Sequence, residues 1–299
     1  MVYTETKEKN GKKYYYRARS IRKGSKITKK RVYLGVNLER DRLRNNEKMA
    51  DKKIGLLNFL LTDDELKFLD KIRKVYRKEP KQTIENRYET FCALFTYNSN
   101  AVEGNTLTLQ ETSQLLFENI LPRKSLREVN EALNHKMAFD LLFEFKGDVT
   151  KKFICNLHKT VVKNTLKPEL EPYIGKYRTL RVYIRGVEWL PPKPNEVNKE
   201  MKSLLFWYSI NKKKLHPLIL TAYFHVGFES IHPFVDGNGR VGRLLMNFIL
   251  HKNGYPMVNI LNNEKYKYYD ALEEARVRNN LRPFLEFLLD LLKSSKIYF

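Results

Sequence analysis

Ile231-His232-Pro233-Phe234-Val235-Asp236-Gly237-Asn238-Gly239-Arg240-Val241-Gly242-Arg243 runs directly into the apolar stretch Leu244-Leu245-Met246-Asn247-Phe248-Ile249-Leu250. The apolar stretch predicts a helix packed into a core. The polar residues before it therefore occupy a tight loop that opens that helix. Unpaired backbone N–H groups and the positive end of the helix dipole make such a place attractive to anions. The reading is a phosphate site with chemistry attached.

Each residue type adds to it. Gly237 and Gly239 permit positive φ and let backbone approach a ligand, and successive N–H groups in such a turn form an anion receptor to which Asn238 can add a side-chain donor. Arg240 and Arg243, three apart on the first helical turn, can reach phosphate oxygens bidentately. Asp236 is a hard oxygen ligand suited to Mg²⁺ bridging two phosphates. His232, neutral near physiological pH, can take a proton from a hydroxyl nucleophile. Phe234 is expected to point inward and pin the loop. A calcium loop fails on spacing, because Val241 or Leu245 falls where the turn glycine or the twelfth-position ligand belongs. A Walker-type loop fails because no Gly-Lys-Ser/Thr follows.

The segment resembles the signature of the Fic family, H-x-F-x-[D/E]-G-N-G-R-x-x-R, at every specified position. The resemblance implies a mostly helical enzyme that moves AMP from ATP to a hydroxyl of a target protein. It implies His232 as the base and Asp236 as the Mg²⁺ ligand. It assigns the α- and β-phosphates to Gly237, Asn238, Gly239 and Arg240, and the γ-phosphate to Arg243. Relatives that phosphorylate carry Ala-Asn-Lys in place of Gly237-Asn238-Gly239, so AMP transfer is favoured.

Upstream, Ser99-Asn100-Ala101-Val102-Glu103-Gly104-Asn105 fits the family's inhibitory pattern, [S/T]-x-x-x-E-[G/N]. Residues 87 to 103 read as a helix stopped by Gly104, and Thr108-Leu109-Gln110-Glu111 reads as a capping box for the next. Glu103 then sits at the negative end of a dipole and calls for a cation. The resemblance supplies Arg243, whose pairing with Glu103 would withhold it from the γ-phosphate.

Two weaker segments join the same expectation. Arg178 to Gly186 alternates before Glu188-Trp189-Leu190-Pro191-Pro192, predicting a hairpin; Arg181, Val182, Tyr183 and Ile184 resemble the family's flap, which aligns an extended target segment by β-augmentation. Tyr268, Leu272 and Ala275 share one helical face. That stripe is either core or, for Tyr268 and Leu272, an adenine pocket. The family commonly has Asn four residues after that Leu; Arg276 stands there, leaving base preference open.

The 299 residues suffice for a sizeable core. Cys92 and Cys155 are too few for a disulfide framework or zinc site and suggest a reducing compartment. The N-terminus lacks a signal-peptide core, and no apolar run approaches the ~20 residues of a membrane span, so a cytoplasmic location is expected. Most of the net charge of +22 is dispersed lysine, a solubility feature. Residues 1–36 differ: Lys12 to Arg22 and Lys29 to Gly35 predict a basic, tyrosine-bearing hairpin. Its cations and aromatics suit nucleic acid; a docking arm with solvated lysines is the other reading. Two strands are marginal alone, so the hairpin must gain a third strand, dock on helices or pair between subunits.

The expected architecture is mainly α: a basic β-rich extension over 1–36, a helical linker over 37–62, and a Fic-type domain over 63–299 with the inhibitory helix at about 87–104 and a β-hairpin flap. Asn195 is expected to cap the helix carrying Met201 and Leu204. The expected function is Mg²⁺-dependent transfer of AMP to Ser, Thr or Tyr of an unidentified protein, restrained by Glu103. Removal of AMP from modified proteins at the same site, or a nucleic-acid-binding regulator that uses the site to sense ATP, are the alternatives. Related proteins often dimerise in ways that tune inhibition, so a homodimer is admitted.

Overall fold

Two positive-φ residues, Asn10 (51°) and Gly11 (69°), join the first two strands, the pair of angles a two-residue type I′ hairpin requires. The computed structural model describes residues 2–23, 26–52, 60–78, 81–184, 187 and 189–294. Strands β1 (Val2–Lys9), β2 (Lys12–Lys23) and β3 (Lys26–Val36) form an antiparallel sheet in that order. The predicted hairpin is thus β2–β3, and β1 is the third strand it needed. Helix α1 (Arg40–Lys52) packs on one face, where Leu34 and Ala50 are buried with Tyr15, Val32, Leu38 and Leu43 around them.

The helical body follows: α2 (Asp63–Arg77), α3 (Lys81–Val102), α4 (Leu109–Ser113) running into a π-turn, α5 (Leu126–Glu144), α6 (Lys151–Val161), α7 (Pro194–Asn211), α8 (Pro217–Ile231), α9 (Asn238–Lys252), α10 (Lys265–Val277) and α11 (Arg282–Ser294). Capping boxes start α2, α4 and α5, at Thr62/Glu65, Thr108/Glu111 and Ser125/Glu128. The box at Thr108 is the one the sequence predicts. The expectation for Asn195 is corrected: Lys193 is the N-cap and Pro194 takes the first helical position, where its missing N–H and fixed φ suit the helix start.

Helix α9 is the centre of the body. Leu244, Leu245, Met246, Phe248, Ile249 and Leu250 are almost wholly buried, so this helix is enclosed on all sides rather than amphipathic. Truncating one such leucine to alanine costs roughly 2–5 kcal/mol. Burying α9 in this way fixes the position of its N-terminus, which is where the signature loop lies. Among the described residues, no helix is long and apolar enough to cross a membrane.

Candidate active site

Helix α8 ends at Ile231, and His232 takes the left-handed cap (φ 50°), its N–H donating to the Phe228 carbonyl at 2.9 Å. From there the chain dives inward. Phe234 is fully buried, with its ring stacked on His158 at 3.8 Å and 1°. Asn238 closes the loop on itself: its Oδ1 accepts from the Phe234 N–H (2.8 Å) and its Nδ2 donates to the Phe234 carbonyl (2.9 Å). One of the two Nδ2 hydrogens expected for phosphate is therefore used in shaping the loop.

His158, from α6, braces the same loop and was missed by sequence reasoning; a lone histidine on an amphipathic helix carries no distinguishing signal. Its Nδ1 accepts from the Gly175 N–H (2.9 Å), so Nε2 bears the proton and donates to the Asp236 carbonyl (3.1 Å). Burial lowers its pKa to about 4, which keeps that tautomer neutral. Gly237 is needed twice over, by its φ of 76° and because a Cβ there would lie 2.7 Å from Val162 Cγ1.

Asp236 is the half-exposed acid at the mouth of the loop. It faces Arg240 at 3.5 Å and Arg127 at 3.6 Å. Arg240 is nearly buried and also lies 3.5 Å from Glu131, yet its Nε and Nη1 have no hydrogen-bond acceptor among the described residues. A buried guanidinium with unspent donors is poised for an anion. Glu131 is itself held by Arg127 (3.2 Å) and Asn105 (2.9 Å). This layer from α5 was invisible to motif reading, although Arg127 and Glu131 stand one turn apart.

Arg243, by contrast, is already held through its Nε and Nη2. Its Nε donates to Ser99 Oγ (3.0 Å), and its Nη2 donates to the Ser99 carbonyl and to Glu103 Oε1, both at 2.8 Å. Ser99 and Glu103, one helical turn apart at the end of α3, thus grip one guanidinium. The two sequence motifs meet as expected. Gly104 follows in the left-handed region (φ 99°) and stops the helix.

His232 remains partly exposed, and its Nδ1 lies 4.0 Å from Glu229 Oε2. Burial lowers its pKa to about 4, with Glu103 pulling the other way, so the ring is a neutral base at ordinary pH. Arg178 locks the backbone beneath it, donating to the carbonyls of His232 (2.8 Å), Leu180 (3.0 Å) and Pro192 (2.7 Å). The sequence placed Arg178 in a strand; the structure makes it a buried clamp between the loop and the carbonyls of Leu180 and Pro192.

Two expectations need correction. Arg181, Val182, Tyr183 and Ile184 form no strand ladder among the described residues; the expected turn at Arg185, Gly186 and Glu188 lies outside the described residues. Tyr183 is exposed. Tyr268 and Leu272 line no open pocket: both are buried in the core, and the Tyr268 hydroxyl is bonded to His225 Nε2 at 2.8 Å. Their helical stripe is packing. The next residue, Tyr269, is the half-exposed one. Burial and then the charge of Glu103 push its hydroxyl up to about 12. Arg276 lies over Trp189, 3.7 Å from the ring centroid, and donates to Ser230 Oγ at 3.3 Å.

Residues 148–250 match the model of the Fic/DOC family. The chain is 35% identical over 198 residues to a protein adenylyltransferase Fic of Nematostella vectensis, covering 64% of this chain and 45% of that protein. It is 33% identical over 252 residues to one of Drosophila virilis, covering 79% and 50%. The chain thus spans half or less of the length of these curated relatives. Among solved structures, a Fic-domain-containing signaling protein of Bacteroides thetaiotaomicron is 30% identical with a TM-score of 0.70, covering 76% of this chain and 93% of that one. Fic-1 of C. elegans is 25% identical with a TM-score of 0.67, covering 87% and 76%.

Proposed function

The chain belongs to the Fic family, and on that premise we propose that it is a protein adenylyltransferase, moving AMP from ATP to a Ser, Thr or Tyr hydroxyl of a target protein and restrained by Glu103. The curated relatives bearing that name support the activity. The observation that carries the restrained form is the grip of Ser99 and Glu103 on Arg243.

In this reading the phosphates of ATP lie at the N-terminus of α9, against backbone N–H groups and the unspent donors of Arg240. A lone carboxylate, Asp236, beside substrate phosphates fits Mg²⁺, which takes few protein ligands. The ion would supply charge neutralisation of the phosphates. His232 accepts the proton of the target hydroxyl as its oxygen bonds to the α-phosphorus. The bond from that phosphorus to the bridging oxygen breaks, and pyrophosphate leaves. Glu103 takes the Nη2 of Arg243 and lies over Gly239 where the phosphates would go, so Glu103 must withdraw first. The extended arm Arg181–Ile184 is the surface on which a target segment would align. The two unpaired thiols suit a reducing, cytoplasmic setting. Exposed Ile120, Leu121 and Leu126 offer an apolar surface for a homodimer.

The test is incubation of wild type, Glu103→Gly and Glu103→Gly/His232→Ala with Mg²⁺ and ATP labelled at the α- or the γ-phosphate. Protein label from α-labelled ATP alone, in Glu103→Gly alone, is the expected result; γ-label would mean phosphorylation. A second reading has its own observation: Glu103 stays one-third exposed while close enough to raise the pKa of His232. A water between them could attack an AMP-modified protein. Release of AMP by wild type, lost in Glu103→Gly, would identify it. No labelling or release in any variant, with ATP bound, would leave an ATP sensor.

A further inference from the structure

We propose that the uncovered face of the N-terminal sheet docks on duplex DNA. Residues opposite each other in a ladder share a face. The register pairs Lys7 with Tyr14, Lys9 with Lys12, Tyr16 with Tyr33, and Ala18 with Arg31. These residues alternate with Tyr15 and Val32, which α1 covers. One face of the sheet therefore belongs to the fold and the other presents cations and tyrosines.

The charge on that face is one-sided. The ten Lys and Arg between Lys12 and Val36, where the sequence has no Asp or Glu, are shared between the two faces, and the register puts Lys12 and Arg31 on this one beside Lys7 and Lys9 of β1. Glu5, the acid of this face, is neutralised by Arg31 at 2.5 Å. Lys7, Lys9 and Lys12 are exposed, and Tyr33 is 51% exposed. A patch of this kind complements a polyphosphate backbone.

The tyrosines favour a duplex over a single strand. Tyr33 packs against Tyr16 (5.4 Å, 53°) and Tyr14 (6.5 Å, 36°), and the Lys7 ammonium lies over the Tyr16 ring at 5.7 Å. Rings tilted against each other and capped by an ammonium do not offer flat faces for unstacked bases. Three strands about 4.8 Å apart make a ribbon roughly 10 Å wide, which fits a major groove about 12 Å wide, a groove that sheets are able to read.

Anisotropy of a labelled random-sequence duplex with the full-length chain tests this. With about four phosphate contacts, affinity should fall roughly a hundredfold between 50 and 200 mM salt. Lys7→Glu/Lys12→Glu should lose about tenfold or more at fixed salt, while Lys213→Glu/Lys214→Glu, in the exposed turn after α7, should stay within about twofold. Tyr33→Ser should also weaken binding, without any change of charge. Equal losses in the two charge-reversal pairs would mean that the overall +22, not this face, attracts DNA, and the proposal would fall. It would fall as well if no duplex bound, or if a single strand or an RNA hairpin bound more tightly.

Discussion

Glu103 lies over Gly239 with no room between them: a Cβ on the glycine would meet Oε1 at 2.2 Å and Arg243 Nη1 at 2.9 Å. The anion at the mouth of α9 is the protein's own carboxylate, held in the place proposed for substrate phosphate. On the proposed reading, inhibition amounts to competition by a tethered ligand, whose strength depends on how well it is held.

Ser99→Ala should loosen that hold by degrees. The hydroxyl contributes one of the three hydrogen bonds to Arg243, with the Ser99 carbonyl and Glu103 supplying the others. Hydrogen bonds to charged groups are worth about 1.5–3 kcal/mol. In a His232→Ala background, calorimetry should show ATP binding more tightly in Ser99→Ala than in its parent, and tighter still in Glu103→Gly. An unchanged Kd for Ser99→Ala would make the hydroxyl a bystander.

Gly239→Ala should separate the seat from its occupant. The added methyl expels the carboxylate but fills the same space, so ATP affinity should not rise as it does in Glu103→Gly. If the two variants bound ATP equally well, the place occupied by Glu103 would not be the place of the phosphates.

How far the sequence carried this picture differs from residue to residue. The Glu103–Arg243 pairing was legible because each residue belongs to a spaced motif. The roles of Asn238 and Ser99 within those motifs were not, since a pattern does not say which atom is already spent. His158, Arg178 and Glu131 stabilise the loop from other helices and segments, through contacts that no local spacing records. Tyr268 and Leu272 show the opposite failure, where a helical stripe fits both a pocket and a core and only burial decides. The strand β1 was announced by Asn10-Gly11, a strong hairpin signal that lay just outside the segment read as a hairpin.

The neutral state of His232 predicts an unusual acid limb. Burial holds its pKa at about 4, and removing Glu103 withdraws a charge that raises it. Transfer by Glu103→Gly should therefore persist as pH falls through 6.5, where an ordinary histidine would gain its proton. Activity should fall only toward pH 4. A kcat/KM profile breaking near 6.5 would contradict this placement of the base.

Glu229 should affect stability in the opposite direction. Burial raises its carboxyl pKa to about 7, above the unfolded value of about 4.3. The folded state thus binds more protons between those limits, and stability is lost as pH rises through the window. Glu229→Gln removes the liability and should gain up to about 4 kcal/mol above pH 7, with little change at pH 4.5. Urea midpoints at the two pH values measure it; a gain independent of pH would point to packing instead.

Arg276→Asn should release the flap arm. The guanidinium covers the Trp189 ring at 3.7 Å and reaches Ser230, two residues before His232. It thereby ties the arm to the end of α8 from the position where relatives commonly carry Asn. The stacked pair is worth about 0.5–2 kcal/mol, enough to keep the indole covered most of the time. With Trp207 replaced by Phe, Trp189 is the sole tryptophan, and its emission should shift to the red and become more open to acrylamide in Arg276→Asn. Lys at this position should give an intermediate result, because an ammonium keeps the charge but loses the flat face. If emission and quenching stayed as in the parent, Arg276 would not be what holds the arm, and its departure from the family pattern would bear on the nucleotide alone.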